Sequence, residues 1–218
     1  MIRCIILTAL ILGAFSVQAE HGPHALPGEL LSAYEALRAE VENDPDALER
    51  VIAEGRGRAV FCNACHGPDG NARRPNYPSL AGQNPVYLLD QIEQFASHTR
   101  EKRIMNDLAE TFSTEEKVVL ALYYANMELE PIADLDTELA RAGAGVYEAR
   151  CAQCHGDQGL GEQGYARIAG QSPSYVANVL KAYRSGESPR RPSAMFGVAR
   201  GLSETDVDAV AHYVAALR

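Results

Sequence analysis

Apolar side chains recur at helical spacing in segments that come in matching pairs. After Asn84-Pro85, the stretch VYLLDQIEQFASH places Leu88, Leu89, Ile92 and Phe95 along one side of a helix. After Ser172-Pro173, SYVANVLKAYRSG does the same with Val176, Val179, Leu180 and Tyr183. Asn84 and Ser172 are residue types that accept from the first free amides of a helix, and the proline after each has the fixed φ that suits the first helical position. Ser113 with Glu116 reads as a capping box, and Ser203 with Asp206 as a near match with a shorter side chain. Both predict amphipathic helices, ending at Met127 and Leu217. Shorter helices are predicted over about 46–62 and 137–151. No segment alternates with period two, so the predicted class is all-α.

The pairs are two copies of one module. LAGQNPVY at 80–87 returns as IAGQSPSY at 168–175, an offset of 88. CNACHG at 62–67 returns as CAQCHG at 151–156, an offset of 89, and Met105-x-x-x-Ala109 returns as Met195-x-x-x-Ala199, an offset of 90. Small drift of this kind means single-residue insertions in surface loops. The modules are predicted at 55–130 and 136–218, joined through ELEPIADLD (Glu128 to Asp136), where Pro131 interrupts helix. Residues 20–54 contain LPGELLSAYEALRAEVENDPDALERVI, which reads as one or two amphipathic helices. This helical N-terminal extension is expected to serve as a brace or a docking element.

Residues 1–19 have the build of a secretory signal peptide: Arg3, an apolar run from Ile5 to Phe15, and Val17-Gln18-Ala19 as a small-residue cleavage site. The mature chain is then expected to start at Glu20 outside the cytoplasm, in the periplasm, with no membrane span left after cleavage. Losing Arg3 takes the formal charge from −9 to −10. So acidic a chain argues against nucleic acid and anionic membranes, and towards partners with basic docking patches.

Cysteine usage carries the chemistry. Cys4 leaves with the leader, and the four that remain, Cys62, Cys65, Cys151 and Cys154, all lie in the two motifs. A shared zinc site would have to join pairs that belong to separate modules. A thioredoxin-like redox pair needs a βαβ context that a helical chain lacks. Two simple disulfide loops would leave His66 and His155 without a role. Covalent haem attachment uses every residue: two thiols add to the two porphyrin vinyl groups, and the histidine that follows meets the iron from one face. Two haem c groups are therefore expected.

The opposite face of each iron decides the function. Methionine there gives a six-coordinate iron suited to moving electrons, whereas a vacant face suits ligand chemistry. After the leader the methionines are Met105, Met127 and Met195. Met105 and Met195 follow their histidines by 39 and 40 residues, which marks both as axial ligands. Met127 aligns with Leu217 and reads as core. His98 is the rival sixth ligand in the first module, but Ser188 stands at the matching place in the second. His98 and His212 are read as surface or packing residues. Arg100 and Arg190, five residues before their methionines, are candidate donors to haem propionates, with a solvated surface position as the alternative. Tyr77 with Tyr165 and Gln83 with Gln171 also correspond. Leu80-Ala81-Gly82 and Ile168-Ala169-Gly170 are expected to pack beside the porphyrin, the glycines allowing close approach.

With CxxCHG, an [LI]AGQxPxY segment and a distal methionine in each half, residues 55–218 resemble tandem class I cytochrome c domains of the cytochrome c4 type. The resemblance implies two small helical domains, each around one haem, with His66 and Met105 ligating the first iron and His155 and Met195 the second. It implies a periplasmic relay of single electrons, with redox partners such as a respiratory complex, a terminal oxidase or a dehydrogenase, and no enzymatic activity of its own. A permanent dihaem subunit of a dehydrogenase, such as that of a flavocytochrome, and a dihaem peroxidase are the alternative readings. The extension at 20–54 is longer than the family's usual start.

Overall fold

The computed structural model describes residues 26–162, 164–190 and 193–218, so the leader expected at 1–19 lies outside the described residues. Two runs of five helices follow one another. The first comprises α2 (Pro45–Arg58), α3 (Asn63–His66), α4 (Pro85–Ala96), α5 (Arg103–Ala109) and α6 (Thr114–Ala125), preceded by α1 (Gly28–Asn43). The second comprises α7 (Thr137–Arg150), α8 (Ala152–His155), α9 (Pro173–Ser185), α10 (Met195–Arg200) and α11 (Glu204–Ala216). Among the described residues the only extended pairing is an isolated antiparallel bridge between Arg100 and Arg190.

In each half the opening helix crosses the closing one, α2 on α6 and α7 on α11, and the middle long helix, α4 or α9, packs on both helices that follow it. Glycine sets the closeness of the crossing. A Cβ at Gly55 would lie 2.4 Å from the Tyr123 Cβ, and one at Gly143 would lie 2.2 Å from the Ala209 carbonyl oxygen. Around these crossings sit two cores: Leu88, Leu89, Val118 and Tyr123 in the first half, and Tyr147, Leu180, Val207, Val210 and Val214 in the second. Met127 and Leu217 pack against their respective cores at matching positions, as expected of a slot that needs only an apolar side chain.

Local signals account for the helix ends. Asn84 accepts from the Val86 and Tyr87 amides, and Ser172 from the Tyr175 amide. Both capping boxes are complete: Glu116 reaches back to the Ser113 amide at 2.8 Å, and the shorter Asp206 reaches the Ser203 amide at 2.9 Å, so the near match is a full one. Helices α6 and α11 stop at Ala125 and Ala216, just short of the expected Met127 and Leu217. In the extension, Asp44 is extended and caps α2, with Pro45 at the first helical position, which splits the stretch into two helices. Helix α2 then runs through position 54/55 without a break. Helix α1 buries Leu30 and Tyr34 against α2 and α6.

The halves meet through a reciprocal pair of side chains. Gln83 accepts from the Arg167 amide at 2.7 Å and donates to the Arg167 carbonyl at 2.8 Å. Gln171 accepts from the Ser79 amide at 3.1 Å and donates to the Ser79 carbonyl at 2.7 Å. Ser79 and Arg167 are themselves related by the 88-residue offset, so each glutamine reads the same backbone position of the other half. Asn84 adds a bond to the Gly161 carbonyl at 2.8 Å. Asn71 ties down the connection, donating to the Glu128 carbonyl at 3.0 Å and accepting from the Glu130 amide at 2.9 Å.

Candidate functional site

Each Cys-x-x-Cys-His motif folds as a single helical turn, α3 or α8, that ends on a glycine with positive φ, 83° at Gly67 and 77° at Gly156. A side chain at Gly67 would lie 2.1 Å from the Asn71 carbonyl oxygen, so the chain reverses there only without one. Cys62 packs against the first core and Cys151 against the second, while Cys154 is exposed; none of the four forms a disulfide. Burial pushes the Cys62 thiol up, and the Cys151 thiol up to about 11, so both are protonated at neutral pH.

The imidazoles are held identically. His66 Nδ1 lies 2.9 Å from the Pro78 carbonyl oxygen and His155 Nδ1 lies 2.8 Å from that of Ala166, again an offset of 88. A carbonyl only accepts, so Nδ1 carries the proton and Nε2 keeps its lone pair free. Burial lowers the pKa of both rings, with Arg100 adding to the effect at His66, and both are therefore neutral at pH 7. Neutral, oriented imidazole is the form that ligates metal. Tyr77 and Tyr165 set their rings edge-on to these imidazoles, with centroids 6.1 Å and 6.4 Å away.

Met105 lies in the first turn of α5 and Met195 begins α10, so the matching methionines occupy matching elements. Met195 packs against the second core. The start of α5 is fixed by Asn106, which accepts from the Lys102 amide at 2.6 Å and donates to the Phe95 and Arg100 carbonyls, each at 2.8 Å. Sequence reasoning missed Asn106, because Phe196 stands at its repeat position and leaves no repeated signal.

Arg100 and Arg190 meet at the bridge between the halves, each facing its own counterpart. Arg100 stacks over Phe95 at 4.3 Å from the ring centroid and donates to Gln91, which donates in turn to the buried Asp90 at 2.8 Å. Arg190 donates to the Tyr175 hydroxyl at 2.7 Å. Burial, followed by the charge of Arg190, lowers the Arg100 pKa to about 10, still a cation at neutral pH. Both Nε atoms are buried without an acceptor among the described residues. A buried donor left unpaired costs about 1–3 kcal/mol. Two such cations with idle donors fit the carboxylates of haem side chains, which rules against the solvated surface position.

The remaining sequence candidates sort as follows. His98 is exposed, contacts the Glu110 carboxylate through Nε2 and has a φ of 58°, so it is a surface residue. His212 accepts from the Asp136 amide at 3.3 Å at the start of α7. Leu80 and Ile168 pack against the two cores. Gly82 and Gly170, with φ of 64° and 70°, make the turns whose amides bond to the Tyr124 and Val214 carbonyls at the ends of α6 and α11. Among the described residues no three His, Cys, Asp or Glu side chains converge on one point. The thiol pairs, the free Nε2 atoms and the unpaired arginine donors instead suit one haem in each half.

The comparisons with known proteins agree. The family model of the cbb3-type cytochrome c oxidase subunit III matches residues 138–214. Cytochrome c4 of Azotobacter vinelandii is 32% identical over 186 residues, which cover 76% of this chain and 88% of that protein. The thiosulfate dehydrogenase electron acceptor of Stutzerimonas stutzeri is 32% identical over 210 residues, covering 89% of this chain and 94% of that protein. The crystal structure of reduced cytochrome c4 from Pseudomonas stutzeri superposes with a TM-score of 0.70 at 28% identity, covering 77% of this chain and 98% of that one. Paired CxxCHG turns with neutral, oriented imidazoles, on a fold shared along nearly the whole length of these relatives, lead to one conclusion: the chain belongs to the cytochrome c4 family and is an electron-transfer protein carrying two covalently bound haem c groups.

Proposed function

We propose that Cys62 and Cys65 hold the first haem through thioether bonds with His66 and Met105 as axial ligands, and that Cys151, Cys154, His155 and Met195 do the same for the second. The observation that carries this reading is the repeated lock of Nδ1 on a backbone carbonyl, which leaves Nε2 as a neutral donor in both halves. Bound haem supplies the one-electron ferric/ferrous chemistry. The residues supply its setting: the histidines a fixed nitrogen, the methionines a soft sulfur that favours ferrous iron, and Arg100 and Arg190 cations for the propionates. The first module opens at α2, and α1 acts as a brace on α6.

Residues 1–19 export the chain to the periplasm, where it relays single electrons between a dehydrogenase or respiratory complex and a terminal oxidase. The test is spectroscopic. The ferric protein is expected to show a weak sulfur-to-iron absorption at the red edge of its spectrum, halved in Met105→Ala and halved in Met195→Ala. Rapid carbon monoxide binding by the ferrous wild type at neutral pH would overturn the ligand set.

A second reading is that the chain is the dedicated acceptor of one dehydrogenase. The match to the thiosulfate dehydrogenase electron acceptor covers 89% of the chain, more than the share lying after residue 54, so it takes in part of the extension. Co-purification at native concentration separates the two: a stoichiometric dehydrogenase partner supports the dedicated acceptor, and its absence supports the free carrier.

A further inference from the structure

A large and a small side chain change places between the halves. Gly55 and Gly143 mark the same helix crossing, so Ala59, four residues on, corresponds to Tyr147 in the second half. Tyr124 and Val214 correspond at the closing helices, where their carbonyls accept from the Gly82 and Gly170 amides at 2.9 Å and 2.8 Å. All four side chains are buried. The first half thus combines Ala59 with Tyr124, and the second combines Tyr147 with Val214.

Either way a tyrosine reaches the loop that follows the CxxCHG turn, from α6 in the first half and from α7 in the second. A Cβ at Gly70 would lie 3.1 Å from Tyr124 Cδ1, and one at the matching Gly159 would lie 3.3 Å from the Tyr147 hydroxyl oxygen. Each ring also lies beside the first cysteine of its motif. Burial pushes both phenols up, Tyr147 to about 12, and the neighbouring Cys62 or Cys151 adds to the effect, so both hydroxyls keep their protons at neutral pH.

The two hydroxyls differ in what they bond. A phenol has one proton to donate, and Tyr147 gives it to the Gly156 carbonyl at 2.5 Å. The Tyr124 hydroxyl is buried without a hydrogen-bond partner among the described residues. An idle buried donor costs about 1–3 kcal/mol, and phenylalanine would fill the same space without that cost. Burial raises the Cys62 thiol, and the Tyr124 hydroxyl pulls it back down, as a donor beside the sulfur does. Attachment makes that sulfur a pure acceptor: its S–H adds across a vinyl group, a carbon–sulfur bond forms, and the hydrogen passes to the other vinyl carbon.

We propose that Tyr124 donates its hydroxyl proton to the Cys62 sulfur once that sulfur is a thioether, and thereby raises the potential of the first haem alone. This rests on Cys62 holding the first haem, as proposed above. A donor on the sulfur draws electron density from the edge of the ring it is bonded to, which favours the ferrous state. Cys151 receives no such bond, because the one proton of Tyr147 is committed to Gly156. Tyr124 is thus a positioning residue that sets apart two otherwise matching sites.

The test is redox titration of the two-haem protein. A Met195→His background lowers the potential of the second haem and so isolates the first, and Met105→His does the reverse. In the former, Tyr124→Phe is expected to lower the first haem's ferrous-to-ferric ratio at fixed potential at least about twofold. In the latter, Tyr147→Phe is expected to leave the second haem's ratio within about 1.3-fold. Proton NMR of the ferrous wild type is expected to show a slowly exchanging Tyr124 hydroxyl proton close to the Cys62 β-protons. An unchanged ratio in Tyr124→Phe, an equal fall in Tyr147→Phe, or a hydroxyl proton close to the Asn63 side chain instead each overturns the inference. Mass is recorded alongside: a wild type lacking a haem on Cys62 overturns the attachment reading, while two intact haems with an unchanged ratio overturn the role of Tyr124 alone.

Discussion

Replacing Gln171 by alanine isolates what holds the halves together. The side chain makes two buried bonds to Ser79, at 3.1 Å and 2.7 Å, and both residues are nearly inaccessible, at 5% and 7% exposure. Alanine removes both bonds and leaves the Ser79 amide and carbonyl without partners. Two bonds at a net value of about 1 kcal/mol each set the lower figure, and desolvated groups left unpaired raise it, giving about 2–4 kcal/mol. If that cost falls on the interface, the constant for opening it rises about thirtyfold to nearly a thousandfold. The reporter is the Arg167 amide on the other half, which keeps its own acceptor in Gln83 and is untouched by the substitution. Hydrogen exchange at Arg167 is expected to accelerate by at least about thirtyfold in the two-haem protein. Gln83→Ala, read at the Ser79 amide, is expected to cost more, since Gln83 also accepts from the Asn84 amide at 3.0 Å. Unchanged protection at Arg167 in Gln171→Ala would refute the claim that the two glutamines act as one joint.

Other perturbations follow from the same contacts. Gly143→Ala drives a methyl group into the Ala209 carbonyl and is expected to cost several kcal/mol, whereas Gly145→Ala, with open space around it, is expected to stabilise by about 0.5–1 kcal/mol; denaturant midpoints measure both. Arg100→Gln removes a cation that favours the reduced state, so redox titration is expected to show the first haem's potential falling more than the second's, and a rise would contradict the assignment. Leu30→Asp places a charge where α1 meets α6 and is expected to speed proteolysis within 28–43 while leaving the haem spectrum unchanged; a lost sulfur band would mean that α1 shapes the site itself.

Much of this architecture is written in short-range signals. The proline-first helices, the Ser-capped helices and the CxxCHG turns depend on residues within five positions of one another, and the tandem repeat doubles each signal. Residues acting across long distances were harder to read. Gln83 and Gln171 stood out as repeated, but nothing local says that each bonds a backbone position more than eighty residues away. Arg100 and Arg190 looked equally suited to solvent until the bridge between them set their Nε atoms inside. Asn106, Asp90 and Gln91 left no trace at all, because the second half carries Phe196, Asn178 and Val179 in their places. The extension was legible only as one or two helices, while the helices ahead of the two cysteine pairs were legible as counterparts, and the packing of α2 on α6 and of α7 on α11 matches that pairing.

The join has one more consequence. Gln83 reads position 167 as Gln171 reads position 79, and Arg100 faces Arg190: this is an isologous contact, a surface complementary to itself. A single unlinked module would therefore own both sides of the joint and pair with a second copy. What the segment from Glu128 to Asp136 contributes is nearness, holding one module at roughly millimolar local concentration about the other. Pairing thus becomes independent of how dilute the protein is, and each half is free to diverge at its outer surface while the shared seam stays matched.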